Sequence, residues 1–162
     1  MKINLYEEDL PKKINIGDSV AIDSETMGLN PKSDKLCLVQ LSKGDNVCHL
    51  IKINLEKTKP INLIKILKNN KIQKIFHYAS FDVAVFKYNF KMNIKNIYCT
   101  KIASKLTRTY TDKHGYKDLC KELLNKNISK AEQSSDWRGK LSMQQQRYAA
   151  TDVLYLHKIS DK

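Results

Sequence analysis

The chain opens with short apolar runs separated by turn signals and closes with longer stretches of helical periodicity. Val20-Ala21-Ile22 is a compact apolar run that ends in Asp23-Ser24-Glu25, and Gly28-Leu29-Asn30-Pro31 behind it has the composition of a turn. Leu36-Cys37-Leu38-Val39-Gln40-Leu41 repeats the apolar signature, and Val47-Cys48-His49-Leu50-Ile51 returns after Lys43-Gly44-Asp45-Asn46, a hairpin composition. The pattern predicts three strands in a meander, over 19–23, 36–41 and 47–51. A helix follows from Pro60, where proline suits the first turn and Ile61, Ile64 and Leu67 share one stripe. Lys74-Ile75-Phe76-His77 predicts a fourth strand. Ser80 reads as the N-cap of a second helix through Phe81, Val85, Phe86 and Tyr88. Ile97-Tyr98-Cys99 predicts a short fifth strand, and the remainder reads as helices over 101–106, 116–124 and 143–159. Three antiparallel strands followed by alternating helix and strand give an α/β fold, a mixed five-stranded sheet flanked by helices.

At 162 residues the chain fits a single domain over 1–162 with a real core. Hydrophobic residues make up 41% and prolines number 3, which excludes a disordered or collagenous chain. No apolar run reaches the length of a membrane span and the N-terminus lacks a signal-peptide core, so a soluble, cytoplasmic protein is expected. Cys37, Cys48, Cys99 and Cys120 form no C-x-x-C and have no histidines at zinc spacing, so they read as reduced thiols. The formal charge of +12 favours a polyanionic partner such as nucleic acid. Lysines scattered among Asn and Ile fit a genome-wide composition bias equally well. The last helix runs into Ser160-Asp161-Lys162 without a stop signal, a pattern that leaves a continuation open.

Four carboxylates and one tyrosine stand where their elements would aim them at a shared point. Asp23 and Glu25 alternate on one face of a strand, Asp82 sits near the beginning of a helix, and Tyr148 and Asp152 are four apart on another. Unpaired, the buried acids would repel and resist desolvation; divalent cations remove that penalty. Oxygen-only ligands suit Mg²⁺ or Mn²⁺ and not zinc, and two such ions can drive hydrolysis of a phosphodiester. Tyr148, with an ordinary pKa of about 10, is a poor base and a better holder of the attacking water. Each motif alone is as readily a helix cap or a surface pair. Their order and apolar flanks together carry the reading.

On these motifs the chain resembles the DEDD exonucleases of the tyrosine subtype, the ribonuclease D-like group with a ribonuclease H-like (DnaQ-type) sheet. The resemblance implies Asp23 bridging two ions, Glu25 and Asp152 on the nucleophile side, and Asp82 supporting the other ion. Cys99-Thr100-Lys101-Ile102-Ala103-Ser104-Lys105-Leu106-Thr107-Arg108-Thr109-Tyr110-Thr111-Asp112-Lys113-His114-Gly115, with Ile128-Ser129-Lys130 and Gln133-Ser134-Ser135-Asp136-Trp137, closely resembles the NrnC (nanoRNase C) enzymes of alphaproteobacteria. That similarity implies a 3′–5′ exoribonuclease that cleaves short RNA, dinucleotides above all, to 5′-mononucleotides and assembles as a homo-octamer. The alternatives are ribonuclease D-type trimming of longer structured RNA, a DNA exonuclease, and a silent nucleic-acid-binding module.

The resemblance also implies substrate contacts. Leu29 takes the place of a leucine that wedges between the two bases, with Thr26 and Met27 on the same edge; its other reading is a turn residue closing the core. His77 and Phe81 flank Asp82 and suit sugar or base contact, with core packing the competing role of Phe81. Arg108, Lys113 and His114 could touch phosphate, line a subunit contact, or form a solvated loop. Trp137 is expected to anchor its loop on the domain. Ser24 stands where relatives usually have Thr, Met27 replaces leucine, and Arg138-Gly139-Lys140 is unusually basic. Relatives extend past the residue matching Lys162, which implies a chain lacking a C-terminal extension and puts the ring in question.

Overall fold

Strand β1 (Lys2–Glu7) starts a six-stranded sheet with β2 (Ser19–Thr26), β3 (Leu36–Ser42), β4 (Val47–Lys52), β5 (Gln73–Phe76) and β6 (Ile97–Cys99). The spatial order is β1-β4-β3-β2-β5-β6. The computed structural model describes residues 1–129 and 131–162, and Lys130 of the Ile128-Ser129-Lys130 string lies outside them. β2 pairs antiparallel with β3 and β3 with β4, as the meander predicts; β5 joins β2 in parallel and β6 joins β5 in parallel. The pattern predicts five strands, and the sixth is β1. It pairs in parallel with β4, from Lys2 opposite Val47 to Glu7 opposite Lys52. A parallel partner far along the chain leaves no hairpin signal beside the strand itself.

The pleat sorts the apolar positions of the central strands onto two faces. Val20, Ile22, Val39, Leu41, Ile51 and Phe76 pack with Leu63, Ile64 and Leu67 of α1 (Ile61–Lys68) and with Val85, Phe86 and Phe90 of α2 (Ala79–Phe90). Ala21, Leu38, Leu50 and Ile75 face the other side, against Ala149, Ala150 and Val153 of α5 (Met143–Leu154). β2 is thus buried on both faces until its last residues, and the acids begin where that cover ends. Helices α3 (Thr100–Thr107), α4 (Tyr116–Leu124) and α6 (Leu156–Ser160) complete the chain.

Two helix details differ from the sequence pattern. α2 begins at Ala79, not after Ser80, because Tyr78 takes a left-handed conformation (φ 67°, ψ 49°) that starts the helix two residues earlier. Ser80 is then an exposed helical residue. The helix predicted over 143–159 breaks at Tyr155, between α5 and α6. The Tyr116 hydroxyl enters the helical ladder there: it donates to the Thr151 carbonyl at 2.6 Å and accepts from the Tyr155 N–H at 3.3 Å. A side chain inserted between a carbonyl and the N–H four residues on is a sufficient cause of a break. The start of α5 is well defined, with Ser142 and Gln145 forming a reciprocal capping box. Among the described residues no helix is long and apolar enough to cross a membrane.

Candidate active site

Alternation along β2 turns Asp23 and Glu25 toward the face covered by α5, and Asp23 stands opposite Gln40 of β3. From α5, Tyr148 and Asp152 project one helical turn apart onto the same place. Carboxylate oxygens of Asp23, Glu25 and Asp152 consequently lie within 4.8 Å of one another. Asp82 is held differently. It lies in the first turn of α2, is buried, and its Oδ1 accepts a 2.6 Å hydrogen bond from the hydroxyl of Ser24, the β2 residue between the two acids. The sequence reading aims four carboxylates at one point; the structure groups three and engages the fourth through Ser24.

The electrostatics express this crowding. Burial pushes the Asp23 carboxyl up to about 7. Burial, followed by the neighbouring Asp23, Asp152 and Asp82 charges, pushes Glu25 up to about 10, against a small lowering by a hydrogen bond from Gln40. Asp82 is raised well above the carboxylate range by burial and then by Asp23, so it is felt by the group although it stands beside it. The Tyr148 phenol is raised too, by burial and then by Asp152, Glu25 and Asp23. It therefore remains a protonated hydrogen-bond donor at neutral pH. Clustered hard oxygens that hold protons this tightly fit a divalent cation of the magnesium kind, which would replace those protons and relieve the repulsion.

The acids open into a cleft of about 670 Å³ lined also by Thr26, Met27, Leu29, His77, Phe81 and Tyr148. Leu29 is 87% exposed at its edge, so it does not close the core. Its loop turns tightly at Gly28, where a Cβ would sit 2.2 Å from the Asp34 carboxylate. His77 shares a 2.9 Å hydrogen bond with Thr100 and packs its ring against Tyr116. Phe81 both lines the cleft and packs on the core.

A family model described as a 3′-5′ exonuclease matches residues 3–162. The chain belongs to that family. Among solved structures, NrnC of Brucella melitensis with bound Mg²⁺ is 50% identical with a TM-score of 0.93, covering 99% of this chain and 79% of that one. The same enzyme bound to pGG is 52% identical with a TM-score of 0.94, at the same coverage. Among curated relatives, ribonuclease D of Gluconacetobacter diazotrophicus is 32% identical over 145 residues, 86% of this chain and 35% of that protein. The chain thus spans about a third of the length of the curated relatives it matches. The mixed sheet is the ribonuclease H-like one of these exonucleases.

Arg108 lies apart from the acids. It does not line the acidic cleft of this exonuclease fold; it lines a separate cavity of about 280 Å³. Its guanidinium is buried, ion-paired with Glu122, and donates to the Ser104 hydroxyl at 2.8 Å and the Lys113 carbonyl at 2.9 Å. His114 is tied to the same Ser104 at 2.8 Å. These contacts make Arg108 a strut of the loop between α3 and α4. Trp137 is 1% exposed, sits among the residues under α5, and packs beside the Tyr148 ring with the ring centres 6.1 Å apart. It anchors its loop as expected and also backs the tyrosine.

Sequence reasoning passed over Gln40, Lys101 and Tyr116. Lys101 and Tyr116 line the cleft, and the Lys101 ammonium lies 4.2 Å from the Tyr78 ring centre. Gln40 touches both β2 acids. The sequence offered only a lone amide within the apolar run over 36–41; its place opposite Asp23 comes from the register of the sheet.

Proposed function

We propose that the chain is a metal-dependent 3′–5′ exoribonuclease that hydrolyses very short RNA, dinucleotides above all, to 5′-mononucleotides. The convergence of Asp23, Glu25 and Asp152 beside Tyr148 carries this reading. The likeness to an NrnC bound to pGG, over 99% of this chain, supports the short substrate. Asp23, Glu25 and Asp152 would hold two ions with Asp82 completing the set. When bound, Mg²⁺ or Mn²⁺ would make a water acidic enough to ionise near neutral pH and would stabilise the departing 3′-oxygen. The protonated Tyr148 hydroxyl orients that water by hydrogen bond and takes no proton from it. The water loses a proton to solvent as its oxygen bonds to phosphorus, the P–O3′ bond breaks, and the leaving 3′-oxygen takes a proton from solvent, so that a 5′-mononucleotide and a 3′-hydroxyl result. Leu29 at the open edge, with Thr26 and Met27, meets the bases, while His77 and Phe81 flank the reacting nucleotide.

Ribonuclease D-type trimming of longer RNA is the second reading, favoured by the 32% identity to ribonuclease D. A length series separates the two. Purified protein is incubated with labelled RNAs from dinucleotides to about twenty residues, with Mn²⁺ and with EDTA. The proposal expects metal-dependent turnover fastest on the dinucleotide; faster turnover of the long RNAs would support trimming instead.

We further propose assembly as a homo-octameric ring. Ile102 and Leu106, exposed at 58% and 74% and one turn apart on α3, supply an apolar face suited to a subunit contact. Light scattering should give an octamer mass, and a monomer mass would overturn the ring.

A further inference from the structure

Resting on the metal-site reading above, we infer that Gln40 is a positioning residue that holds the Asp23 and Glu25 carboxylates in place for the cation. Gln40 is fully buried in β3, directly across the ladder from Asp23. Its side-chain Nε2 donates to Asp23 Oδ2 at 3.4 Å and to Glu25 Oε1 at 3.2 Å. One amide nitrogen has two hydrogens, so each acid receives one. Glu25 lies diagonal to Gln40 on the same face of the ladder, a separation a long side chain can span.

The chemistry favours an amide at this position. A lysine or arginine would also hold the two acids, but its charge would compete with the metal. An amide supplies two N–H groups with no charge. Gln40 Oε1, in contrast, is buried and has no hydrogen-bond partner among the described residues. With the acids ionised, as cation binding requires, the reverse orientation would set that oxygen against two carboxylates. The amide is therefore turned by the carboxylates alone, and its acceptor is left unused to satisfy them. A glutamine kept only for the fold would be expected to pair both ends.

Metal binding separates this role from a structural one. Mn²⁺ is titrated by calorimetry into the wild type, Gln40→Met, which keeps the shape without the donors, and Gln40→Asn, which keeps the amide but falls short of reaching both acids. The melting temperature of each is read in EDTA. Both variants are expected to fold, to melt in EDTA near the wild type, and to bind Mn²⁺ about 10- to 100-fold more weakly, the usual effect of losing a group that orients a metal ligand. Should Gln40→Met fail to fold, Gln40→Asn carries the comparison. Wild-type affinity in a folded variant would overturn the role of Gln40. No binding by the wild type would overturn the metal site itself.

Discussion

A carboxyl group that keeps its proton at neutral pH is a poor ligand until a cation displaces that proton. In the metal-free protein Glu25 is raised from 4.5 to about 10 and Asp23 from 3.8 to about 7, chiefly by burial. Between the ordinary and raised values the native state holds more protons than the unfolded chain. Stability contributed by these groups is therefore greatest at low pH and falls as pH rises from about 4 toward 7 and beyond. Metal binding expels the same protons, so affinity rises over that interval. The melting temperature in EDTA should fall from about pH 5.5 to about pH 8.5, less steeply in Glu25→Gln, with Mg²⁺ restoring most of the loss. A slope unchanged by Glu25→Gln would show that this carboxyl is not the titrating group. The grouping of Asp23, Glu25, Tyr148 and Asp152 was legible because D-x-E on a strand and Y-x-x-x-D on a helix have geometry fixed by their own periods, whereas the tie of Asp82 to Ser24 follows from neither. Gln40 was not, because its role depends on cross-strand register. The ion pair of Arg108 was not legible because its partner Glu122 lies across a loop, where spacing says nothing of contact.

Elements are positioned here by a few tertiary contacts that override local pattern. The antiparallel β2, β3 and β4 followed from apolar runs and turn composition, whereas β1 depends on a parallel partner with no signal next to it. Helical periodicity continues unbroken through 143–159, yet the Tyr116 hydroxyl splits it at Tyr155, three residues beyond Asp152. That break turns Leu156 into the layer beneath α5 and Ile159 onto α4. Tyr116→Phe should thus lower stability by about 1–3 kcal/mol in urea unfolding, the usual effect of orphaning buried hydrogen-bonding groups. An unchanged midpoint would mean that α5 and α6 pair their own backbone groups without the phenol.

At the scale of the whole molecule, a chain of net charge +12 carries an acidic centre. A formal charge of +12 would draw polyanions from a distance, while Asp23, Glu25 and Asp152 offer a phosphate no positive charge until cations bind. On the proposed reading attraction and chemistry are separated: the net charge would favour nucleic acid, and bound cations would let the cleft accept the scissile phosphate. The sheet makes this possible by ending its buried central strand in acids at the point where α5 and the first turn of α2 meet it. The most direct test follows release of mononucleotide from a labelled RNA dinucleotide by wild type and Asp152→Asn, first with Mn²⁺ and then with EDTA. Product should form only with the wild type and only with metal; cleavage that persists in EDTA, or an Asp152→Asn protein as active as the wild type, would contradict the account.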